Sequence, residues 1–276
     1  VLKASGGYSA TEVRENRIIP LSSMFPGALA GQTGSMIQGV SELRTYDFEP
    51  QLDYSRQLGK GKLNMLFGAT LQRSRQQGET IQALGYTSDA LLNNLLAAGS
   101  IDVLMADYSD YRYAALYARA NYNLGDTYIF NLTGRRDGSS RFGPGKQFGN
   151  FGALGAAWLF SNEKFLKNTL SWLEVGKFRA SYGITGSDAI GNYQYLDSYS
   201  ATADPYDGQG GLVSTRLANA DYSWETNRKF EAALEMGFFR SRLNFNAAYY
   251  NNRSSNQLVG VPLPAMTGHA SVQANF

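Results

Sequence analysis

The sequence of 276 residues predicts an all-β fold, an antiparallel up-and-down transmembrane β-barrel segment of about nine or ten strands. Three observations support this prediction. Apolar and polar residues alternate along much of the chain, the connections between strands are short and long in turn, and 13% of the residues are aromatic while only 17% are charged. Alternation with a period of two is typical of strands whose two faces meet different environments.

The expected strands follow from this alternation. In the hairpin after the Gly-Asp turn at 125–126, for example, Tyr128, Phe130 and Leu132 alternate with polar residues. In chain order, the predicted strands cover approximately residues 1–9, 46–58, 63–71, 116–124, 128–135, 147–160, 177–185, 224–238 and 243–251.

The order of the connections favours a membrane barrel over a soluble sheet. We expect short connections at 59–62, 125–126 and 239–242, a helical turn at 162–174, and long connections at 10–38, 76–107, 138–146, 186–221 and 255–270. Up-and-down membrane barrels have short turns at the periplasmic end and long loops at the external end. Long structureless loops are uncommon in compact soluble domains.

The composition excludes several classes of function. The sequence contains no cysteine, which excludes disulfides, thiolate catalysis and cysteine-ligated metal. A single histidine, His269, excludes a histidine-rich metal site. The net charge of +2, without a basic cluster, argues against nucleic-acid binding. No apolar run approaches the roughly 18 residues of a membrane-spanning helix. We therefore expect no metal, no cofactor, no nucleic-acid partner and no helical membrane segment.

One segment carries a family resemblance. The sequence Arg-Arg-Asp-Gly-Ser-Ser-Arg-Phe-Gly at residues 135–143 resembles a motif of the SusC/RagA family of TonB-dependent outer-membrane transporters of Bacteroidetes. The resemblance covers about residues 108–276, with a weaker match at 52–69. Further segments that resemble the family, in the family's order, are Ala156–Trp158, Phe178–Gly186, Trp224–Thr226 and Val261–Pro264.

This resemblance implies a location and a function. It implies part of a bacterial outer-membrane barrel of about 22 strands with an internal plug, energised by the TonB complex and covered by a SusD-like surface lipoprotein. We expect residues 1–276 to form part of the barrel domain, in contact with outer-membrane lipid, with the plug domain and the TonB box absent from this chain. The implied function is active transport of a nutrient, a glycan, oligosaccharide or peptide, with no enzymatic activity.

Two groups of residues are candidates for the functional site. The first is the charged part of the family motif, expected at the external rim of the barrel: Arg135, Arg136, Asp137 and Arg141. The second lies in the long connection 186–221, where flat aromatic rings among amides suit the binding of sugar rings: Tyr193, Tyr195, Tyr199 and Tyr206. Each group also has a purely structural interpretation.

The structural interpretations are specific. A turn at Asp137–Gly138 would explain the motif, with the arginines paired to carboxylates, and the tyrosines could pack the loop or form an aromatic girdle. At residues 87–99, four leucines after Ser88 and Asp89 predict an N-capped amphipathic helix. Such a helix would pack the loop onto the barrel rim or dock the lipoprotein.

Three alternatives to a transporter remain open. A passive porin-like barrel or an adhesive barrel would share the strand pattern. A soluble carbohydrate-binding β-sandwich would also alternate, but it would point Tyr128, Phe130 and Leu132 into a dry core. An enzyme would depend on His269 beside Ser271, without a recognisable nucleophile motif.

Overall fold

Nine antiparallel strands form the main sheet of the chain. The computed structural model describes residues 1–25, 31–170, 172–201, 207, 209–240 and 242–276. The strands of the main sheet are β1 (Leu2–Ile19), β2 (Gly34–Leu58), β3 (Gly61–Tyr86), β4 (Ser100–Leu124), β5 (Tyr128–Ser139), β6 (Phe148–Trp158), β7 (Leu173–Ser187), β10 (Glu225–Phe238) and β11 (Leu243–Ser255). They follow one another across the sheet in the order β1-β2-β3-β4-β5-β6-β7-β10-β11, and the sheet does not close into a barrel in this segment.

Smaller elements occupy the connections. One α-helix, α1 (Lys164–Thr169), lies between β6 and β7. Two short hairpins lie in the last two long connections, β8 (Ser198–Ala201) with β9 (Leu212–Arg216) and β12 (Leu258–Pro262) with β13 (Ser271–Asn275). No helix among the described residues is long and apolar enough to span a bilayer.

Side-chain exposure confirms the predicted fold class. Tyr128, Phe130 and Leu132 on one face of β5 are 38%, 50% and 62% exposed, and Leu116 on the same face of the neighbouring strand β4 is 68% exposed. A β-sandwich would bury these side chains in its core. The sheet instead presents an apolar face that is open along β4, β5 and β6, which is what a lipid-facing wall requires.

The tight turns are confirmed, but most of the strands are longer than predicted. The connections 59–60, 125–127 and that between β10 and β11 are short, and α1 lies in the expected helical turn. However, β2 begins at Gly34 rather than near residue 46, β3 continues to Tyr86, and β4 begins at Ser100. β1 likewise extends to Ile19. These extensions have polar residues on both faces, so the apolar alternation that predicts strands is missing there.

The chain divides into two compact units. The first comprises Val1–Ser5, Phe48–Leu71 and Tyr113–Phe276, and the second comprises Gly6–Asp47 and Gln72–Arg112. In the first unit the buried aromatic residues Phe142, Tyr222 and Trp224 lie close together. The second unit has its own small core, which consists of Met36, Ala83, Tyr86 and Leu92 with Leu95, Ala97 and Ala98 packed against it.

The predicted helix at residues 87–99 is wrong. Two 3-10 turns, Asp89–Leu91 and Leu95–Ala97, replace it. The Asp89 carboxylate accepts hydrogen bonds from the backbone N–H groups of Leu21 and Ser22 instead of capping a helix. The Asn94 side chain accepts from the N–H of Leu96, which starts a second turn in competition with a continuous helix.

The packing of Phe151 against a strand glycine generates a first prediction. A Cβ at Gly186 would lie 1.9 Å from Cζ of the Phe151 ring, which also packs against Trp224 with 5.4 Å between ring centroids. We expect Gly186→Ala to destabilise the protein by about 1–3 kcal/mol because of overpacking. The measurement is the thermal unfolding midpoint of the full-length protein purified in detergent.

Gly134→Ala is the matched control. Gly134 also lies in a strand, but a Cβ there has no atom within 4 Å. We expect its unfolding midpoint to stay near that of the wild type. Equal midpoints for the two variants would contradict this packing.

Candidate functional site

A hydrogen-bonded cluster joins two connections at the long-loop end of the sheet. The Ser139 hydroxyl donates to Oδ2 of Asp188 at 2.7 Å. The Arg141 guanidinium donates to the Asp188 carbonyl oxygen at 2.8 Å and to Oδ1 of Asn192 at 3.1 Å. Arg141 therefore holds the connection after β5 against the connection after β7.

Aromatic packing supports the same two connections. The Phe142 ring lies 5.2 Å from Trp224 and 6.3 Å from Tyr222, measured between centroids. The Trp224 indole N–H donates to the backbone oxygen of Gln147 at 3.0 Å. Because Phe142, Tyr222 and Trp224 are almost fully buried, this end of the sheet has a packed aromatic base beneath its long loops.

The predicted turn at Asp137–Gly138 is wrong. β5 continues to Ser139, where Gly138 pairs with Phe148 of β6, so the turn occupies residues 140–147. The Phe148 ring fills the space beside Gly138, since a Cβ there would lie 2.7 Å from a ring carbon. A glycine that predicts a turn from sequence instead makes room for an aromatic ring on the neighbouring strand.

The arginines of the motif point in opposite directions. Arg135 pairs with the buried Asp137, donates to the Tyr113 hydroxyl, and lies 5.5 Å from the centroid of Tyr117. Arg136, one residue on, lies over the Phe148 ring at 5.0 Å on the other face of β5. Of the four candidate residues of the motif, only Arg135 and Asp137 lie on the polar face. Arg141 belongs to the hydrogen-bonded cluster with Ser139, Asp188 and Asn192, which we call the loop cluster.

The candidate tyrosines differ in their surroundings. Tyr193 has a positive φ of 60° and its carbonyl accepts from Arg216. The Tyr195 ring packs beside Gly143. Tyr199 is 57% exposed and donates to Asp197, a hydrogen bond that raises the pKa of the Tyr199 phenol. Tyr206 lies outside the described residues. Tyr199 is thus the described candidate with an open ring.

The polar face of the sheet forms an open groove. Its volume is about 390 Å³, and its lining includes Gln51, Tyr117, Arg119 and Arg135. The Gln51 amide donates to the Tyr117 hydroxyl at 3.0 Å. Amide, hydroxyl and guanidinium groups on this face can exchange hydrogen bonds with a hydrated solute.

Charged residues continue this polar face onto β7 and β10. Lys177 and Arg179 of β7 pair with Glu231 and Glu235 of β10, with nitrogen–oxygen distances between 2.7 and 3.1 Å. The sequence analysis did not select them as site residues. On the predicted strands Lys177 and Arg179 lie two residues apart, and Glu231 and Glu235 lie four residues apart. This spacing places each pair on one face of its strand, and it was the sequence signal that could have identified them. Among the described residues, no three metal-ligating acidic, histidine or cysteine side chains come together.

A family model described as "TonB dependent receptor-like, beta-barrel" matches residues 2–275. The chain belongs to this family. The predicted SusC/RagA-type barrel of the bacterial outer membrane is therefore confirmed. The apolar face of the sheet is accordingly its lipid-facing side.

Individual relatives agree with this family. TonB-dependent receptor P26 of Formosa agariphila is 31% identical over 268 residues, with coverage of 95% of this chain and 27% of the relative. TonB-dependent receptor SusC of Bacteroides thetaiotaomicron is 27% identical over 286 residues, with coverage of 95% and 26%. The solved RagAB peptide transporter matches with a TM-score of 0.86 at 25% identity, covering 99% of this chain and 30% of that chain.

The matches define the extent of this chain. It spans 30% or less of the length of each of these relatives. The relatives are described as receptors and a transporter, not as enzymes.

Aromatic residues mark the short-turn end of the lipid-facing side. The Tyr128 hydroxyl and the Trp158 indole N–H both donate to Oε1 of Glu163, at 2.6 and 3.1 Å. Trp172 stacks on Phe238 with 5.6 Å between ring centroids. Barrels of this family place such rings at the membrane interface, where one edge is wet.

The loop cluster generates a second prediction. Asp188→Ala removes the acceptor of the Ser139 hydroxyl and the carboxylate that lies 3.8 Å from Arg141. Loss of a hydrogen bond to a charged group costs about 1.5–3 kcal/mol, so backbone amides of residues 188–196 should exchange hydrogen about tenfold faster or more. The measurement is hydrogen exchange of the full-length protein, read by mass spectrometry.

Asp221→Ala provides the control for this experiment. Asp221 also lies in a loop, but its side chain is 89% exposed and forms a surface ion pair with Lys146. Exposed pairs of this kind contribute little. If Asp188→Ala left the exchange of residues 188–196 unchanged, the proposed role of the cluster would be wrong.

Proposed function

We propose that this chain forms part of the wall and external loops of an outer-membrane transporter that actively imports a nutrient. The observation that supports this proposal most is the two-sided sheet, in a chain whose family match covers residues 2–275. One face of the sheet is apolar and exposed, and the opposite face carries Gln51, Arg119 and Arg135. In this proposal the polar face lines the aqueous path. The tied external loops bound the entrance to that path.

The proposed mechanism involves binding and movement, with no chemistry on the nutrient. The nutrient binds at the external end, a plug domain rearranges under force from the TonB complex, and the nutrient passes along the polar face. A SusD-like surface lipoprotein covers the external loops. The plug domain and the TonB box belong, in this proposal, to parts of the whole protein other than this barrel segment.

Two nutrient classes are compatible with the residues of the loops and of the polar face. Oligosaccharides suit the exposed Tyr199 ring beside Asp197, because a flat ring stacks on the apolar face of a sugar while a carboxylate accepts its hydroxyls. Peptides suit the paired charges of Lys177 and Arg179 with Glu235, which match both termini of a peptide. The match to a transporter described as a peptide transporter supports the second class.

Uptake by whole cells tests the function directly. We expect cells that carry the intact transporter to accumulate a labelled oligosaccharide or a labelled peptide, and to lose this accumulation when TonB is inactivated. A passive porin would continue to admit the solute without TonB. An adhesive barrel would bind the cells to a surface and admit neither solute, and either result would overturn the proposal.

Tyr199 variants separate the two nutrient classes. If oligosaccharides bind against the ring, Tyr199→Ala should weaken their uptake by about threefold to tenfold, since an aromatic contact contributes about 0.5–1.5 kcal/mol. Tyr199→Phe keeps the ring, so its uptake should remain near that of the wild type. Unchanged uptake of oligosaccharide in Tyr199→Ala would remove this residue from the binding surface.

A further inference from the structure

The groove that includes Gln51, Tyr117, Arg119 and Arg135 in its lining, here called the polar-face groove, has an unbalanced charge. The charged residues of its described lining are Arg119 of β4 and Arg135 of β5, and no carboxylate belongs to that lining. All of the described lining lies within the first compact unit. Sites for small molecules have volumes of about 300–1,000 Å³, and the groove has about 390 Å³. It can therefore hold part of a nutrient.

The guanidinium group of Arg119 lacks a charged partner. Among the residues that the structure describes, none forms a hydrogen bond or an ion pair with it. Two aspartates of the polar face already have cationic partners, because Asp53 lies 2.8 Å from Nζ of Lys3 and Asp137 pairs with Arg135. Arg119 is exposed, so its positive charge is accessible to a solute in the groove.

Strand register places Arg135 diagonally across from Arg119. Arg119 pairs with Thr133 of β5, two residues before Arg135 on the same face. Diagonal neighbours of this kind lie about 7–8 Å apart, so both guanidinium groups are within reach of one anion between the two strands. Asp137 and the Tyr113 hydroxyl hold the Arg135 side chain in place, and 39% of that side chain remains exposed.

Small side chains leave open space beside Arg119. The residues in register with it across β5, β6 and β7 are Thr133, Ala153 and Gly183, whose side chains decrease in size in that order. The Thr133 hydroxyl is already engaged, since it donates to the Ala153 carbonyl oxygen at 3.3 Å and accepts from the Ala153 N–H at 3.1 Å. This row of the wall therefore leaves room for a ligand next to the guanidinium group.

Neutral and apolar groups complete the lining of the groove. The Tyr117 hydroxyl accepts a hydrogen bond from the Gln51 amide at 3.0 Å, and it retains its own hydrogen for donation to an oxygen of a solute. Leu66 and Phe151 add apolar surface. Because cationic donors lie next to apolar surface, the groove suits an organic acid better than a small inorganic anion.

The two arginines lie a short distance below the loop cluster. Arg135 lies four residues, and Thr133 opposite Arg119 lies six residues, before Ser139 at the end of β5. With a rise of about 3.4 Å per residue and a tilt of about 40°, four to six residues span roughly 10–16 Å along the barrel axis. A nutrient that enters between the external loops would therefore reach these arginines before it crosses the rest of the polar face.

We propose that Arg119, with Arg135 beside it, binds a carboxylate of the nutrient, so that the transported compound is an organic acid. This inference rests on the proposed function, in which the polar face lines the aqueous path. A guanidinium group binds a carboxylate through two parallel hydrogen bonds. Either nutrient class supplies this group, a peptide through its C-terminus and an oligosaccharide through a uronic acid residue.

Competition between free acids and their methyl esters tests this site. The intact transporter in detergent is mixed with tryptic peptides of casein and with oligogalacturonates, each present in equal amounts as the free acid and as the methyl ester. The bound compounds are isolated by gel filtration and counted by mass spectrometry. We expect the wild type to retain one class of acid at least about tenfold more than its ester. The class that is retained identifies the source of the carboxylate.

Variants of Arg119 assign the preference for acids to this residue. Arg119→Gln removes the charge, so the ratio of acid to ester should fall to within about twofold of one. Arg119→Lys keeps the charge without the bidentate geometry and should retain a preference of about threefold or more. Arg136→Gln is the matched control, because Arg136 lies over the Phe148 ring on the other face of β5, and its ratio should equal that of the wild type. The heat-dependent gel mobility of each variant shows whether its barrel is folded.

Three results would overturn the acid site. They are equal retention of free acid and ester by the wild type, retention of neither acid, or a wild-type ratio in the folded Arg119→Gln variant. A lower unfolding midpoint of Arg119→Gln with an unchanged ratio would assign the guanidinium group to a structural contact, such as one with the plug domain. TonB-dependent uptake of a neutral oligosaccharide alone would overturn the acid site and leave the proposed function intact, whereas uptake that continues without TonB would overturn the proposed function itself.

Discussion

A single-layer sheet that separates lipid from water must place apolar side chains on the face that contacts lipid and polar side chains on the face that contacts water. Its backbone groups are hydrogen-bonded to neighbouring strands, so the two faces differ only through their side chains. On β4 and β5 this condition is met by alternation: Leu116 and Leu132 are exposed on one face, while Asn121 donates to Asn131 on the other at 2.6 Å. The lipid-facing side of the sheet and the proposed aqueous path of the nutrient both depend on that arrangement.

The sequence predicts the strands correctly where one face of the sheet meets lipid and the other meets water. Leu116 to Leu124 and Tyr128 to Leu132 alternate clearly, and the hairpin that they form has the predicted turn. Beyond the apolar band both faces are wet, so Glu42, Arg44 and Thr45 carry no alternation although they are part of β2. Sequence reasoning therefore recognised the segments that cross the membrane and missed the extensions of the same strands.

The wrong predictions of a turn at Gly138 and of a helix after Asp89 have one cause, which is contact with residues that are distant in sequence. Gly138 predicts a turn by its backbone freedom, but the ring of Phe148 on the next strand uses the space that its missing side chain leaves. Asp89 is a residue type that favours the start of a helix, but its carboxylate accepts hydrogen bonds from the backbone N–H groups of Leu21 and Ser22, which are 68 and 67 residues away in sequence. Such partners follow from strand order, which a local pattern does not contain. The loop cluster of Ser139 and Asp188 was missed for the same reason.

Site-directed spin labelling tests the assignment of the two faces most directly. This chain has no cysteine, so Asn131→Cys and Leu132→Cys each add one labelling site to it, on adjacent positions that face opposite sides of β5. Any cysteine in the rest of the full-length protein is replaced by serine first. In the full-length protein reconstituted in lipid, the label at residue 132 should be relaxed mainly by oxygen, which partitions into the bilayer, and the label at residue 131 mainly by a water-soluble nickel complex. The reverse pattern, or equal accessibility of both labels to the two reagents, would contradict the two-solvent sheet.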